Sequence, residues 1–205
     1  MKKTIIINLP MSVKQKCVYE NGILNEKIST DSFYFPINAY LAENLRPEDE
    51  CKFIFIIKDD GLNREKEVQQ ICINEISTIN NTIGAKLEFV GILTSFEQNK
   101  FVYDITLASL INEIEDGSSI YWDNTFGPKD VPLVIFAALQ YCEKHLNCNV
   151  EHVFYGQGTF DNNGKLISTK LVSMDSLFWI ISLLNCVESE TPEQARELIN
   201  MITKL

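Results

Sequence analysis

The octapeptide Asp123-Asn124-Thr125-Phe126-Gly127-Pro128-Lys129-Asp130 carries the densest set of anion-binding groups in the chain. It lies between an apolar strand pattern over 118–123 and an apolar helix pattern over 131–146. The Gly127-Pro128 break leaves backbone amides at the mouth of that helix, where the helix dipole favours negative charge. The Thr125 hydroxyl and the Lys129 ammonium belong to the same turn. The dipole alone contributes only about 0.3 to 1 kcal/mol, so a tight site needs several amides and side chains together. The octapeptide also reads as a plain turn whose Asp130 caps the next helix, and the two readings are compatible.

A second polar loop, with Asn8, Pro10 and Ser12 and then Lys14, breaks the first strand pattern. Phe126, Tyr155 and Phe160 sit at or beyond strand ends, where a ring can stack on a base, whereas most other aromatics belong to the core. Gly156-Gln157-Gly158 reads as a tight turn ending a strand. No helix opens behind it, so it is not a dinucleotide fingerprint. Cys142, His145, Cys148 and His152 have the side chains of zinc ligands without the spacing. Cys148 falls past the predicted helix end, His152 lies in a strand, and no Cys-x-x-Cys pair supports them. These are the only two histidines, so no nucleophile–histidine triad is expected, and no metal or cofactor is predicted.

Positioning these loops requires strands at 3–9, 51–57, 86–93, 118–123 and 150–155, with a further extended stretch at 166–172. Apolar residues at three and four spacing place helices between them: from Pro36 up to Pro47, from Arg64 to the Gly84 stop, and over 101–114 and 131–146. Two more cover 177–186 and the segment after Thr191. Asn21-Gly22, flanked by 17–20 and 23–29, predicts a hairpin with a type I′ turn. The alternation predicts an α/β fold, a mainly parallel sheet with helices on both faces. Ligands in such folds bind beyond the carboxyl ends of the strands, where strand order reverses. That edge carries the loops after residues 9, 123 and 155.

The 205 residues, 45% apolar and 22% charged, fit one globular domain over 1–205. The apolar run in MKKTIIINLP is too short for a signal peptide. The runs at 131–139 and 177–184 fall short of the roughly 20 residues of a membrane span. A cytoplasmic protein with reduced cysteines and no membrane partner is expected. With 28 acidic against 18 basic residues, a net charge of −10, a general nucleic-acid surface is excluded. A small anion held locally is not.

Taken together, the segments IYWDNTFGPKD, VPLVIFAALQYCEKHL, VEHVFYGQ and LVSMDSLFWIISLLNCV resemble the CARF domains of CRISPR-associated proteins, over nearly the whole chain. Those domains usually show an Asp-x-Thr-His-Gly turn, a basic residue and a Pro-containing apolar helix, then a strand ending Tyr-Gly. Here Phe126 replaces the histidine and Lys129 stands near the usual arginine. The resemblance implies a Rossmann-like homodimer that binds a cyclic oligoadenylate, tetra- or hexa-adenylate, across its two-fold axis in type III CRISPR antiviral signalling. The ligand residues it implies are Asn8, Pro10, Ser12 and Lys14 in the loop 8–16, Asn124, Thr125, Phe126, Gly127, Lys129 and Asp130 in the turn, and Tyr155 and Gly156. The chain is then a free-standing sensor or the regulatory half of an effector, since neither an Arg-x4-His ribonuclease signature nor a His-x-His metal pattern occurs in it. Two alternatives remain open. One is a metal-independent ring nuclease that uses Asn8, Ser12, Lys14, Thr125 and Lys129 to align a ribose 2′-hydroxyl with its phosphate. The other is a Rossmann-like enzyme acting on an ordinary nucleotide, which the missing Gly-rich fingerprint disfavours.

Overall fold

The isoleucines at 5–7 form the middle of β1 (Lys2–Asn8), in which residues 3–8 are all buried. A strand covered on both faces needs no polar alternation, which is why its sequence reads as one apolar run. In the computed structural model, which describes residues 1–23, 26–59, 61 and 64–203, there follow β2 (Cys17–Gly22), β3 (Ser32–Phe33), α1 (Pro36–Asn44) and β4 (Glu50–Lys58). Next come α2 (Arg64–Asn80), β5 (Lys86–Thr94), α3 (Lys100–Glu113), β6 (Ser119–Asp123) and α4 (Val131–His145). The chain continues with β7 (Asn149–Phe160), β8 (Leu166–Ser173), α5 (Asp175–Cys186) and α6 (Pro192–Thr203).

The strands form one sheet in the order β3-β2-β8-β7-β6-β1-β4-β5. β5, β4, β1, β6 and β7 run parallel, β8 returns antiparallel beside β7, and β2 lies parallel to β8. The fold is therefore a Rossmann-like α/β sheet with helices on both faces, as the sequence predicts. Ile5, Ile7, Phe53, Phe55 and Tyr121 meet α1 and α2 on one face. On the other, Trp122 packs edge-on against Phe136 of α4, with ring centroids 5.2 Å apart. β1 pairs with β4 on one side and β6 on the other, so strand order reverses between β1 and β6.

Two local expectations fail. Asn21-Gly22 is not a hairpin turn: both residues lie inside β2, opposite Leu171 and Val172 of β8. A Cβ on Gly22 would stand 2.6 Å from the Leu171 carbonyl oxygen, so the glycine serves a close strand approach instead. Asn21 Oδ1 accepts from the Ile23 amide, and β2 finds its antiparallel partner in the two-residue β3. Of the expected second arm, Leu24 and Asn25 lie outside the described residues, and 26–29 are not strand. Likewise Gly156-Gln157-Gly158 does not end its strand. β7 continues to Phe160, with Gly156 opposite Leu171 and Gly158 opposite Thr169. The real turn lies at 161–165, where Asp161 Oδ1 accepts the amides of Asn163 and Lys165 and Gly164 adopts φ 75°.

Residues 1–174 form one compact unit and 175–205 a second. In the second, Thr191 Oγ1 accepts the Gln194 amide at 3.2 Å and caps α6, while Trp179, Ile180, Leu183 and Leu184 stand exposed on α5. All six cysteines are free thiols. Among the described residues no helix is long and apolar enough to cross a membrane, and no cluster of three or more His, Cys, Asp or Glu could hold a metal ion.

Candidate functional site

At the carboxyl edge of the sheet a cleft of about 570 Å³ opens between the loop after β1 and the far ends of β7 and β8. The β1 loop contributes Ser12, Val13, Lys14 and Gln15, and the turn after β6 contributes Thr125 and Phe126. Gly156, Gly158 and Phe160 come from β7, and Lys165, Leu166 and Thr169 from the hairpin tip and β8. Cys17, Tyr19 and Tyr34 complete the wall. The lining holds two lysines and no acidic residue, in a chain with ten more acidic than basic residues. That charge contrast, beside four aromatic rings, is the lining that an anion carrying flat apolar groups would require.

The turn after β6 is fixed by Asp123, which is fully buried. Its Oδ1 accepts the Thr125 amide at 2.9 Å and its Oδ2 the Ile37 amide at 3.1 Å, tying the turn to the start of α1. Burial pushes its carboxyl above the ordinary aspartate range, and the bonds from Thr125 and Ile37 oppose that shift. Thr125 Oγ1 accepts the Gly156 amide at 2.7 Å, and the Thr125 hydroxyl also bonds to the Asp123 carboxylate, so the side chain ties β7 to the turn. Phe126 meets Phe35 edge-on, with centroids 6.3 Å apart, and turns another part of its ring to the cleft. Gly156 lies so close to α1 that a Cβ would come 2.4 Å from Pro36 Cγ.

The opposite rim rests on Glu75. This carboxylate, buried beneath α1, accepts the amides of Tyr34 and Phe35 and the Asn38 side chain, the last at 2.8 Å. Lys16, at the end of the β1 loop, pairs with it at 3.3 Å and lies over the Tyr34 ring. Burial also raises the Tyr19 phenol, so that ring stays neutral in the cleft wall.

Of the residues singled out in the sequence, Ser12, Lys14, Thr125, Phe126, Gly156 and Phe160 line the cleft together. Asn8, Asn124 and Gly127 form a separate group at the β1/β6 reversal. Asn8 is buried, its Nδ2 lies 3.5 Å from Asn124 Oδ1, and Gly127 (φ 98°) packs on its side chain. Pro10 lies outside the lining, and Tyr155 is exposed and alternates to the other face of β7 from Gly156. Lys129 is exposed away from the cleft. Asp130 holds the N-cap position of α4 with helical backbone angles but makes no side-chain cap bond. The octapeptide is thus divided: Thr125 and Phe126 face the cleft, Asp123 is buried beneath them, Asn124 and Gly127 group with Asn8, and the remainder leads into α4.

The chain is similar to a CRISPR-associated protein. It is 24% identical over 156 residues to CRISPR-associated protein MJ1674 of Methanocaldococcus jannaschii. The match takes in 66% of this chain and 24% of that protein, so the chain spans about a quarter of its relative's length. No protein-family profile matches the chain.

The cleft also contains Gln15, Cys17, Tyr19, Tyr34, Lys165 and Thr169, none of which the sequence marks as functional. Tyr19, Tyr34 and Thr169 sit in patterns indistinguishable from core or strand residues. Lys165 carries one signal: it is the only cation in the turn 161–165 that follows the glycine-rich end of β7. Neither histidine reaches the cleft, since His145 ends α4 and His152 stacks in the ring cluster of Tyr40 and Phe154.

Proposed function

We propose that the chain is a CARF-like sensor domain that binds a cyclic oligoadenylate in CRISPR antiviral signalling. The observation that carries this reading is the lining of the carboxyl-edge cleft, where lysines, aromatic rings and glycine backbone meet with no acidic side chain. Similarity to a CRISPR-associated protein supports it from a separate direction. In this reading the Lys14 ammonium takes a phosphate, while Phe126 and Tyr34 offer faces to an adenine. The glycines of β7 let the ligand approach the strand closely.

A symmetric ring suits two copies of the domain, because an isologous pair presents the same loops to equivalent phosphates. The exposed apolar side chains of α5 supply surface for such self-association. Isothermal titration with cyclic tetra-adenylate and cyclic hexa-adenylate tests the proposal. One ring per two chains is the expected stoichiometry for the cognate ring. No binding of either ring at micromolar protein overturns the sensor reading, and one ring per chain overturns the shared site.

A further inference from the structure

The geometry points to the β7–β8 hairpin tip as the second gripping wall of the cleft, with Phe160 stacking on a base and Lys165 holding the neighbouring phosphate. This rests on the reading of the cleft as a nucleotide site and names residues that the resemblance does not. Phe160 is 61% exposed at the end of a strand, in a position where packing does not require a large ring. It lies beside Gly158: a Cβ there would come 3.1 Å from the Phe160 ring and 3.1 Å from Leu166. The missing side chain leaves room for the ring in the cleft wall. A register shift between Thr159 and Phe160 also falls here, of the kind by which strands re-aim a side chain near functional sites.

Lys165 follows five residues later and faces the same cleft. Among the described residues its ammonium has no ion pair or hydrogen bond, whereas Lys16 on the opposite rim is held by Glu75. The turn that presents Lys165 is built rather than loose. Asp161 accepts two amides from within it, the Asp161 amide donates to the Lys165 carbonyl at 2.9 Å, and Gly164 supplies the left-handed residue. The backbone that carries cation and ring is therefore fixed on this wall, while Lys14 enters the cleft from the β1 loop and Phe126 from the turn after β6. The cleft thus offers two ammonium groups and two aromatic rings besides its tyrosines, which matches two successive nucleotide units.

The test is titration of the full chain with cyclic tetra-adenylate, cyclic hexa-adenylate, ATP and AMP, for the parent and for Lys165→Ala, Phe160→Ala and Phe160→Trp. Lys86→Ala, at the amino end of β5 on the opposite edge of the sheet, controls for net charge. Lys165→Ala is expected to weaken whichever ligand binds by about tenfold or more, and Phe160→Ala by about fivefold or more. Lys86→Ala should bind like the parent, Phe160→Trp should retain more binding than Phe160→Ala, and bound ligand should slow amide exchange at 161–165. Ring binding that is equal in the parent, Lys165→Ala and Phe160→Ala overturns this inference and leaves the sensor reading standing. Binding of ATP or AMP but not of the rings, with loss in both variants, overturns the sensor reading and leaves the hairpin wall standing. If none of the four ligands binds, both fall.

Discussion

The Gly156 amide donates to the Thr125 hydroxyl oxygen at 2.7 Å, joining the end of β6 to β7 across the mouth of the cleft. Thr125→Val keeps the shape and removes the acceptor. It should cost about 1 to 3 kcal/mol in urea denaturation, because a partly buried N–H loses its partner. Thr125→Ser, which keeps the oxygen, should recover most of that loss. Equal stability of the valine and serine variants would show that the bond contributes nothing.

Gly156→Ala places a methyl group 2.4 Å from Pro36 Cγ and 3.1 Å from Thr125 Cγ2. Neither neighbour is a flexible chain end, so α1 must shift. An overpacking loss of about 1 to 3 kcal/mol is expected in thermal or chemical denaturation. By contrast, Gly84→Ala meets no atom within 4 Å, and its cost comes only from φ 84°.

Glu75 and Lys16 should separate clearly although they form one ion pair. Glu75 is buried and accepts from two backbone amides and Asn38, so Glu75→Ala leaves several donors unsatisfied. A loss of about 3 kcal/mol or more is expected. The Lys16 side chain is 47% exposed, and Lys16→Met should cost no more than about 1 kcal/mol. Denaturation midpoints of the two variants decide the order.

Asp123 sets a pH dependence whose sign follows from burial. Its folded carboxyl titrates above its unfolded value, so the stability it contributes is fully present below the ordinary aspartate range. That contribution is lost as pH rises through the raised folded value. The stability of the parent relative to Asp123→Asn should therefore fall as pH rises across that window and level off above it. Urea titrations of both proteins at a series of pH values from 3 upward measure it. A difference that grows with pH would mean that the bonds from Thr125 and Ile37 outweigh desolvation.

Lys14 and Lys129 compete for the role of anion contact. Lys14 lines the cleft and Lys129 does not, so Lys14→Ala should weaken ring binding about ten- to hundredfold and Lys129→Ala far less. The reverse order would move the anion to the mouth of α4.

What could be read from the sequence was governed by period and burial. The strand and helix order, including Pro36 in the first turn of α1, followed from apolar spacing and from glycine and proline stops. The loops at the reversal of strand order followed from topology. The errors share one cause: at Gly22 and Gly156 glycine marks a close approach of backbone to a neighbouring element, and in sequence this looks the same as a turn. The cleft was half legible. Ser12, Lys14, Thr125 and Phe126 lie in loops bounded by strong signals. Tyr19 and Thr169 reach the cleft only through β2 and β8, whose pairing joins residues about 150 positions apart, and Tyr34 through the bond of its amide to Glu75. No local pattern encodes that neighbour.

The same pairing fixes an order of assembly. β8 is the last strand in the chain, yet it lies between β7 and β2, and β2 and β3 join the sheet only through it. The parallel core of β1, β4, β5, β6 and β7 can zip up from shorter connections, while the cleft must wait for closure of the longest loop in the sheet. A chain emerging from the ribosome therefore has a packed core before it has a binding site. Until then β2 lacks the strand that joins it to the sheet, which leaves it open to mispairing or to capture by a chaperone.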